Sequence, residues 1–308
     1  MVHAIRIHEY GGPDVLRWED VEVGSPGPGE VRLRHKALGL NYIDTYHRTG
    51  LYALGALPAV IGMEGAGEVT AVGAGVTELA IGDRVAYANP IGAYAEERLI
   101  PADRLVKLPA AISFETAAAM MLQGMTAQYL LRRTFKVGPQ TVMLLHAAAG
   151  GVGLIACQWA RHLGATIIGT VGSDEKAKLA KAAGCTHVIN YRREDFVARV
   201  REITAGAACD VVYDAIGKDT YPGSLDCLKP FGLWVSYGNA SGKIEGFDLG
   251  LLAAKGSLYA TRPTLFTYIA KRADLVASAS ELFDMVERGV VHINVNQTYA
   301  LRDAAQAH

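Results

Sequence analysis

Residues 142–165 read VMLLHAAAGGVGLIACQWARHLGA, and this stretch decides the fold. The apolar run Val142–Ala147 predicts a buried strand, and the glycine-rich turn that follows leads into an apolar helical pattern. Gly150, Gly151 and Gly153 can supply a tight turn, close approach of a ligand and close packing of helix on strand. The N–H groups that begin such a helix, near Gly151 and Val152, attract anions. The stretch therefore predicts a strand, turn and helix suited to a phosphate group.

The dinucleotide fingerprint G-x-G-x-x-G is incomplete in this turn, because Ala148 occupies the position of its first glycine. Taken alone, the turn is equally well explained as an ordinary strand-to-helix connection with glycines for packing. The choice between the two interpretations depends on the surrounding sequence.

Strand and helix patterns alternate after this turn. Five more short strands are predicted, at Thr166–Val171, Val188–Tyr191, Asp210–Tyr213, Leu233–Tyr237 and Ser257–Ala260. Helical patterns separate the first five strands of the series, at Val152–Leu163, Glu175–Ala183, Asp195–Thr204 and Tyr221–Leu228. This alternation is typical of α/β folds with a Rossmann-type, doubly wound parallel sheet, whose ligand lies at the carboxyl ends of the strands. It favours dinucleotide binding at the turn.

The first third of the chain has a different sequence pattern, in which Gly and Pro separate short runs of β-branched residues. Strands are predicted there at Ala4–His8, Val31–Leu38, Gly67–Val72 and Arg84–Ala88. Helical patterns begin near Ser113, at Ala117–Leu122 and Ala127–Arg133, and the segment after Leu275 carries one helix and a strand-like Val290–Tyr299. We expect a β-rich domain over 1–124, a dinucleotide-binding domain over 125–267, and a return to the first domain over 268–308.

Bulk properties narrow the class of protein. A chain of 308 residues exceeds the usual size of a single core, so two domains are expected. The net charge of −1 provides no positive field for nucleic acid or anionic lipid. The cysteines, at positions 157, 185, 209 and 227, have none of the close spacings of zinc clusters or redox pairs. Without a signal peptide pattern or a long apolar run, the sequence predicts a soluble cytoplasmic protein.

The end of the second Rossmann strand indicates which nicotinamide cofactor is bound. NAD specificity usually requires a carboxylate there, whereas this strand ends Thr170-Val171-Gly172-Ser173. Ser173 and Lys176 lie one helical turn apart and can hold a 2′-phosphate, which favours NADPH. Asp174 and Glu175 are expected to cap the next helix. A solvated helix lysine is the alternative interpretation of Lys176.

Several stretches resemble the medium-chain dehydrogenase/reductase superfamily, namely AAAGGVGLIACQW, VINYR, VVYDAIG, GSLYATRP and, at 39–52, GLNYIDTYHRTGLY. The greatest likeness is to bacterial zeta-crystallin-like NADPH:quinone oxidoreductases, from Gly11 to residue 308. Zinc-dependent alcohol dehydrogenases of the superfamily have a cysteine where this chain has Asn41 and a histidine where it has Met63. The four-cysteine lobe is also missing. Because catalytic zinc needs about three protein ligands, the resemblance implies catalysis without a metal.

The resemblance also implies an architecture and a set of binding residues. Residues 1–124 and 268–308 would form a GroES-like catalytic domain, residues 125–267 the Rossmann NADPH-binding domain, with the active site in the cleft between them. Nicotinamide contacts are implied for Tyr42, Ile43, Asp44, Thr45, Tyr46 and Tyr129, and pyrophosphate contacts for Gly151 and Val152. Contacts at the adenosine phosphate end are implied for Gly172, Ser173, Asp174, Glu175, Lys176 and Tyr191. The remaining contacts are implied for Ile216, Gly238, Asn239, Ala240, Ser241, Thr264, Leu265 and Phe266.

Relatives in this family continue past an Ala-His pair like Ala307-His308 with a helix and a final strand. We therefore expect this chain to be truncated or its sequence to be incomplete. The family also implies a homodimer, in which the last predicted strand, Ser257–Ala260, can pair across a two-fold axis.

Hydride transfer to a quinone requires mainly that cofactor and acceptor be held together away from water. Asn41, Tyr46 and Tyr52 are the candidate catalytic residues. An N-cap role for Asn41 and packing roles for both tyrosines are equally open. Asp44 can orient a tyrosine or face solvent, His47 is a lone histidine, and no residue is singled out as a general acid. Reduction of enals, enones or enoyl thioesters is the alternative reaction, and a crystallin-like or RNA-binding role is the alternative of another class.

Overall fold

The computed structural model describes residues 2–308, which group into two compact units. The first unit comprises the chain up to Met125 with Ile269–Phe283 and Ile293–His308, and the second comprises Thr126–Tyr268 and Asp284–His292. None of the helices within residues 2–308 combines the length and the apolar character that crossing a membrane requires.

The segment Asp284–His292 groups with the second unit, although all of 268–308 is predicted from the sequence to return to the first. Gln158 explains this placement. Its Oε1 accepts from the His292 N–H at 2.8 Å and its Nε2 donates to the His292 carbonyl at 3.2 Å. Two hydrogen bonds thus fasten the segment to a helix of the second unit.

The first unit is dominated by antiparallel strands. Its strands are β1 (Val2–Ile7), β2 (Arg17–Val21), β3 (Glu30–Gly39), β4 (Ala59–Val60), β5 (Glu64–Val72), β6 (Arg84–Tyr87), β7 (Glu97–Pro101) and β8 (Val106–Lys107). Helices in this part of the chain are α1 (Tyr42–Thr49), α2 (Phe114–Ala118) and α3 (Met121–Tyr129), with 3-10 turns at Pro13–Val15 and Ala102–Arg104.

Two sheets arise from these strands, one ordered β2-β1-β4 and one ordered β7-β3-β5-β6-β8. Alternation along β3 buries Val31 and Leu33 on one face. Arg32 and Arg34, the intervening residues, both donate to the Glu97 carboxylate of β7, at 2.6 and 2.8 Å. The core of the unit is a cluster of buried side chains that includes Ile5, Ile7, Leu33, Ile61, Tyr87 and Ile100.

The second unit contains the predicted parallel sheet. Its strands are β9 (Val142–Leu145), β10 (Thr166–Val171), β11 (His187–Asn190), β12 (Cys209–Asp214), β13 (Leu228–Ser236) and β14 (Tyr259–Thr261). The helices that follow α3 are α4 (Gly151–His162), α5 (Asp174–Ala182), α6 (Phe196–Ile203), α7 (Gly223–Asp226), α8 (Gly250–Ala254), α9 (Leu265–Tyr268), α10 (Arg272–Glu287) and α11 (Ala304–Ala307), with a 3-10 turn at Leu301–Asp303.

All neighbours in this sheet are parallel, and the order is β11-β10-β9-β12-β13-β14. The chain first adds strands on one side of β9 and then on the other, so the order reverses at β9. Ligands of doubly wound sheets lie at the carboxyl ends of the strands beside such a switch point. The sheet confirms the predicted fold class and directs attention to the ends of β9, β10 and β12.

The strand-like stretch Val290–Tyr299 is not a strand, so this prediction is wrong. The N–H groups of Val290 and Val291 both donate to the Met285 carbonyl, at 2.9 and 3.1 Å. The start of the stretch therefore closes helix α10. The remainder is largely exposed and pairs with no strand of the described chain.

Two helical predictions also needed correction. The predicted helix Tyr221–Leu228 shrinks to α7, because the Cys227 carbonyl accepts from the Cys209 N–H at 2.8 Å and draws the chain into β13. The predicted helix Ala117–Leu122 is interrupted between α2 and α3. There the Leu122 N–H donates to the Glu64 side chain, at 3.3 Å, so that a side chain takes the place of a helical carbonyl.

Candidate active site

The glycine-rich turn joins β9 to α4, with Gly150 as the N-cap of the helix. A Cβ atom added at Gly153 would lie 2.3 Å from the Ala147 carbonyl oxygen and 2.7 Å from that of Ala148, so only glycine permits this approach. Ala147 itself has a φ of 55°, an uncommon conformation for a residue with a side chain. The backbone N–H groups of Gly151 and Val152 begin the helix, where helical carbonyls are lacking. The turn can therefore accept a pyrophosphate.

The departure at Ala148 has a packing explanation. Ala148 is fully buried, and its N–H donates to the Thr170 carbonyl of β10 at 3.1 Å. A Cβ atom added at Gly169 would lie 2.7 Å from the Ala148 methyl group. The alanine thus fills the space that the glycine of the neighbouring strand leaves open.

The carboxyl end of β10 brings together the residues predicted for the adenosine phosphate. Ser173, rather than Asp174 or Glu175, is the N-cap of α5, since its Oγ accepts from the Lys176 N–H at 3.2 Å. A Cβ atom at Gly172 would lie 2.7 Å from the hydroxyl of Tyr191. Gly172, Ser173, Lys176 and Tyr191 therefore share one exposed corner of the second unit.

The Asp174 side chain does not cap α5, because it interacts with two other residues. Its Oδ1 accepts from Asn190 Nδ2 at 3.0 Å, and its Oδ2 pairs with Arg193 at 2.9 Å. The preceding residue, Arg192, has its Nε 3.7 Å from a Cβ placed at Gly172. Because Arg193 pairs with the nearby carboxylate and Arg192 is exposed, the corner carries positive charge.

Beyond β12, the predicted residues Ile216 and Gly238–Ser241 are brought into contact. The Ser241 N–H and Oγ both donate to the Ile216 carbonyl, at 2.9 and 3.0 Å. A Cβ atom at Gly238 would lie 2.2 Å from the Ala215 carbonyl oxygen. The two loops therefore meet at the carboxyl edge of the sheet.

A buried carboxylate organises these loops. Asp214, the last residue of β12, accepts from the N–H groups of Ile216 and Gly217 at 2.9 and 3.1 Å. The same carboxylate accepts from the side chains of Thr220, Ser224 and Trp234 at 2.8, 2.9 and 3.3 Å. It is fully buried and well supplied with donors, so it acts as a structural anchor.

Tyr129 and the segment Thr264–Phe266 also lie in the second unit. Tyr129 is buried and stacks on Tyr268, with ring centroids 4.4 Å apart. Thr264 is exposed, Leu265 is buried, and Phe266 is half-buried. The stacking connects Tyr129 to helix α9, which follows Thr264.

In the first unit, α1 carries the other predicted cofactor residues. Tyr42 is exposed, Ile43, Thr45 and Tyr46 are half-buried, and Asp44 is fully buried. The rings of Tyr42 and Tyr46 meet edge to face at 5.4 Å, and those of Tyr46 and Tyr52 at 5.1 Å. The two tyrosines predicted to be catalytic are therefore in direct contact.

Asn41 is the N-cap residue of α1 and forms a capping box with Asp44, while the hydrogen bonds of its carboxamide reach two other side chains. Its Nδ2 donates to Glu64 Oε2 at 2.6 Å, and its Oδ1 accepts from Gln123 Nε2 at 3.2 Å. The Asn41 N–H donates to Asp44 Oδ2 at 2.9 Å. Two buried carboxyl groups thus flank the candidate catalytic amide.

Asp44 orients a tyrosine, which was one of the two roles left open by the sequence. Its Oδ2 accepts from the Tyr94 hydroxyl at 3.0 Å, and that hydroxyl also lies 3.1 Å from His308 Nε2. Arg48 lies 2.9 Å from the other ring nitrogen of His308. The chain of polar contacts runs from Arg48 through His308 and Tyr94 to Asp44.

Burial governs the titration of these groups. It raises the pKa of Asp44 from 3.8 to about 7, although the Asn41 N–H and the Tyr94 hydroxyl stabilise the carboxylate. Burial likewise holds the pKa of Glu64 well above its ordinary range, despite the hydrogen bond from Asn41. Asp44 Oδ1 and Glu64 Oε1 have no hydrogen-bond partner among residues 2–308. Unpartnered buried oxygens favour the protonated forms.

Potential metal ligands are not clustered in the described part of the chain, where no group of three or more His, Cys, Asp or Glu residues could hold an ion. Met63 is buried, and both ends of the Asn41 carboxamide are hydrogen-bonded to protein side chains. His47 is half-buried, and burial lowers its pKa.

Comparisons with known proteins agree with this geometry. Residues 27–110 match the alcohol dehydrogenase GroES-like domain, and residues 151–280 match the zinc-binding dehydrogenase family. A quinone oxidoreductase of Pseudomonas aeruginosa is 54% identical over 100% of this chain and 95% of its own length. The chain belongs to the quinone oxidoreductase family of the medium-chain dehydrogenase/reductase superfamily.

Two other members of the superfamily extend the comparison. A 2-haloacrylate reductase from Burkholderia sp is 51% identical over 100% of this chain and 95% of that protein. The crystal structure of Escherichia coli quinone oxidoreductase complexed with NADPH is 50% identical, with a TM-score of 0.97 over 99% of this chain and 94% of that one. The predicted family and the GroES-like domain are confirmed.

Several side chains that border the candidate residues were not predicted from the sequence, among them Glu64, Arg192 and Asp214. Arg192 could have been predicted from the sequence, because it directly follows the candidate residue Tyr191 at the end of a predicted strand. Asp214 ends a strand beside the switch point, a position where polar residues often serve ligand loops. Glu64 follows Met63 and gave no sign of its contact with Asn41.

Replacing Asp44 by asparagine should change the pH dependence of stability. Between about pH 4 and pH 7 the unfolded chain loses the Asp44 proton while the folded chain retains it, so stability falls as the pH rises through this window. The asparagine side chain cannot ionise. The stability of Asp44→Asn relative to the parent should therefore rise by on the order of 3 kcal/mol from pH 4.5 to pH 8. Urea unfolding across this range measures the difference.

Asp83→Asn is the matched control. Hydrogen bonds from the Ala80 N–H and Lys107 lower the pKa of Asp83, so this carboxylate stabilises the fold above its ordinary pKa. Because that stabilisation is already present above the ordinary pKa of 3.8, the stability of Asp83→Asn relative to the parent should stay nearly constant from pH 4.5 to pH 8, unlike that of Asp44→Asn. A pH-independent difference for Asp44→Asn would contradict the prediction.

Proposed function

We propose that this chain is an NADPH-dependent quinone reductase that works without a metal ion. The observation that carries the proposal is the 54% identity to a quinone oxidoreductase over the full chain. The 50% identical E. coli enzyme, solved in complex with NADPH, supports the choice of cofactor. The reaction is transfer of hydride to the quinone.

The residues of the second unit suit NADPH. Gly153 keeps the Ala147 and Ala148 carbonyls close to the start of α4, which leaves the N–H groups of Gly151 and Val152 for the pyrophosphate. Lys176 and Arg192 are exposed cations beside Ser173 and Tyr191 and would bind the 2′-phosphate. The Ile216 and Ser241 loops would line the rest of the dinucleotide.

Bound NADPH supplies the hydride, and a quinone that accepts it together with a proton becomes a hydroquinone. The task of the chain is to position the acceptor and to exclude water. We assign this task to Asn41, Tyr46 and Tyr52. Water can protonate the phenolate-like product, so no buried acid is required.

Zinc has no role in this proposal. Asn41 and Met63 stand where zinc-dependent relatives have cysteine and histidine, and a carboxamide and a thioether are poor zinc ligands. The Asn41 carboxamide is also held by Glu64 and Gln123.

Reduction of an activated carbon–carbon double bond is the second candidate. The 51% identical 2-haloacrylate reductase supports it, because its identity and coverage nearly equal those of the quinone oxidoreductases. Both reactions begin with hydride transfer to an electron-poor acceptor, so acceptor preference separates them.

Initial rates of NADPH oxidation provide the test. The purified chain should oxidise NADPH with 1,4-benzoquinone and 9,10-phenanthrenequinone at least about tenfold more efficiently, in kcat/KM, than with 2-alkenals or 2-chloroacrylate. Rates should be unchanged after treatment with a zinc chelator. A reversed acceptor order would establish double-bond reduction, and the absence of activity with any quinone would defeat the main proposal.

The positive corner predicts cofactor preference. Lys176→Ala removes a charged contact to the 2′-phosphate, worth on the order of 1.5–3 kcal/mol, so the Kd for NADPH should rise at least tenfold. The Kd for NADH should change little. Lys178→Ala, an exposed lysine on the same helix, is the control and should alter neither constant. Fluorescence titration measures both constants, and equal losses for the two cofactors would contradict the assignment.

We also propose a homodimer built on β14. This strand has one neighbour, β13, and Tyr259 on it is 62% exposed. Phe231, 69% exposed, lies beside the same edge, since its N–H donates to the Gly256 carbonyl at 2.9 Å. An uncovered strand edge with apolar side chains favours pairing with a second copy.

Substitution at each edge of the sheet tests the dimer. Sedimentation should give a dimer for the parent chain and a monomer, or a dimer at least about tenfold weaker, for Tyr259→Lys, because lysine on an edge opposes pairing. His187→Lys, on β11 at the opposite edge, should remain dimeric. A monomeric parent would refute the proposal.

A cytoplasmic location is proposed on the state of the cysteines. All four are free and buried, including Cys157 and Cys185, whose sulfur atoms lie 3.2 Å apart. Free thiols in such proximity suit a reducing compartment.

A further inference from the structure

The carboxamide of Asn41 is held at both ends. Its Nδ2 donates to Glu64 Oε2 at 2.6 Å, and its Oδ1 accepts from Gln123 Nε2 at 3.2 Å. Only 4% of the Asn41 surface is exposed. A side chain that positions an acceptor needs such restraint, because a freely rotating amide offers an N–H and a carbonyl in turn.

Glu64 determines which end of the amide faces inward. Its Oε2 also accepts from the backbone N–H of Leu122 at 3.3 Å, at the start of α3. A backbone N–H can only donate, so the atom facing it must be an acceptor. With the carboxyl proton on the unpartnered Oε1, Oε2 presents only lone pairs, so Asn41 turns its Nδ2 toward Glu64 and its Oδ1 toward Gln123.

The backbone leaves Glu64 little freedom. A Cβ atom at Gly39 would lie 2.6 Å from Glu64 Cγ, 2.7 Å from its Cδ and 2.0 Å from the Ala118 carbonyl oxygen. The carboxyl group thus packs directly on the backbone of β3 and beside the end of α2. Its position is set by three elements of the first unit before any ligand arrives.

We propose that Glu64 is a positioning residue that fixes Asn41 as a hydrogen-bond donor to the reacting acceptor. Hydride transfer leaves negative charge on a quinone oxygen, which an N–H stabilises and a carbonyl repels. With one Nδ2 hydrogen on Glu64, the second is available to the acceptor. The inference rests on the proposed function and on the acceptor role of Asn41.

A double-mutant cycle between the two residues tests whether Glu64 acts through Asn41. Glu64→Leu should lower kcat with 1,4-benzoquinone about tenfold or more, as removal of an oriented donor does. The Kd for NADPH should stay within about twofold, since Glu64 is not among the residues assigned to the cofactor. In the Asn41→Ala background, adding Glu64→Leu should lower kcat by a further factor of less than about two.

Conservative replacement provides the rescue. In Glu64→Gln the carbonyl oxygen should face Leu122 and Asn41, so kcat should remain within about threefold of the parent value. Glu97→Gln removes another largely buried carboxyl, which pairs with Arg32 and Arg34 on the same sheet. As the control for loss of a buried carboxyl group on this sheet, it should leave kcat unchanged.

If Glu64→Leu does not fold, Gln123→Glu provides a second test of the positioning role. It places a second acceptor on the opposite side of Asn41 and leaves Glu64, Leu122 and Gly39 intact. Competition for the Nδ2 hydrogens should lower kcat about tenfold without changing the Kd for NADPH. Equal losses from Glu64→Leu in both Asn41 backgrounds would overturn the proposal, as would full turnover in either Glu64→Leu or Gln123→Glu.

An NMR readout separates this inference from the proposed function. With 15N-asparagine labelling, the side-chain signal that disappears in Asn41→Ala should shift in Glu64→Leu and stay near its original position in Glu64→Gln. An unmoved signal in Glu64→Leu would refute the positioning role. A parent chain that shows these shifts but reduces no quinone would refute the proposed function and leave the orientation of Asn41 established.

Discussion

The contact between Gly153 and the carbonyl groups of Ala147 and Ala148 is the constraint on which the second unit depends. It brings the amino end of α4 onto the carboxyl end of β9, at the point where strand order reverses. Ala147 adopts a left-handed conformation to make the turn. Helix packing, turn geometry and anion-binding N–H groups are therefore consequences of one close approach, which any side chain at position 153 would prevent.

Buried carboxyl groups shape both units, but in different ways. Asp214 receives backbone and side-chain donors on both oxygens, and so fixes the loops that follow β12 at little electrostatic cost. Asp44 and Glu64 each keep one oxygen without a partner in the described chain, and burial raises the pKa of both. Asp214 is therefore a structural anchor. Asp44 and Glu64 are polar groups kept away from water, where their hydrogen bonds to neighbouring side chains are strong.

Features encoded within short stretches of sequence were predictable, and those created by distant contacts were not. The turn at 147–153 and the alternation of strands and helices have local periodicity and glycine signals. Ser173 and Asp174 are both good N-cap residues, so the sequence alone does not determine which of them caps α5. The interaction of Asn41 with Glu64 and Gln123 spans 23 and 82 positions. Its partners depend on the pairing of β3 with β5 and on the break before α3, neither of which local pattern specifies.

The pairing of Ala148 with Gly169 has an evolutionary consequence. The Ala148 methyl group and the Gly169 hydrogen occupy one small space between the turn and β10. The side-chain volume that one position can hold therefore depends on the residue at the other. Across homologues we expect the pairs alanine–glycine and glycine–alanine to replace one another more often than either residue changes alone. A motif search that scores position 148 alone counts its alanine as a mismatch to the dinucleotide fingerprint. A search that scores the summed side-chain volume of positions 148 and 169 would accept the turn.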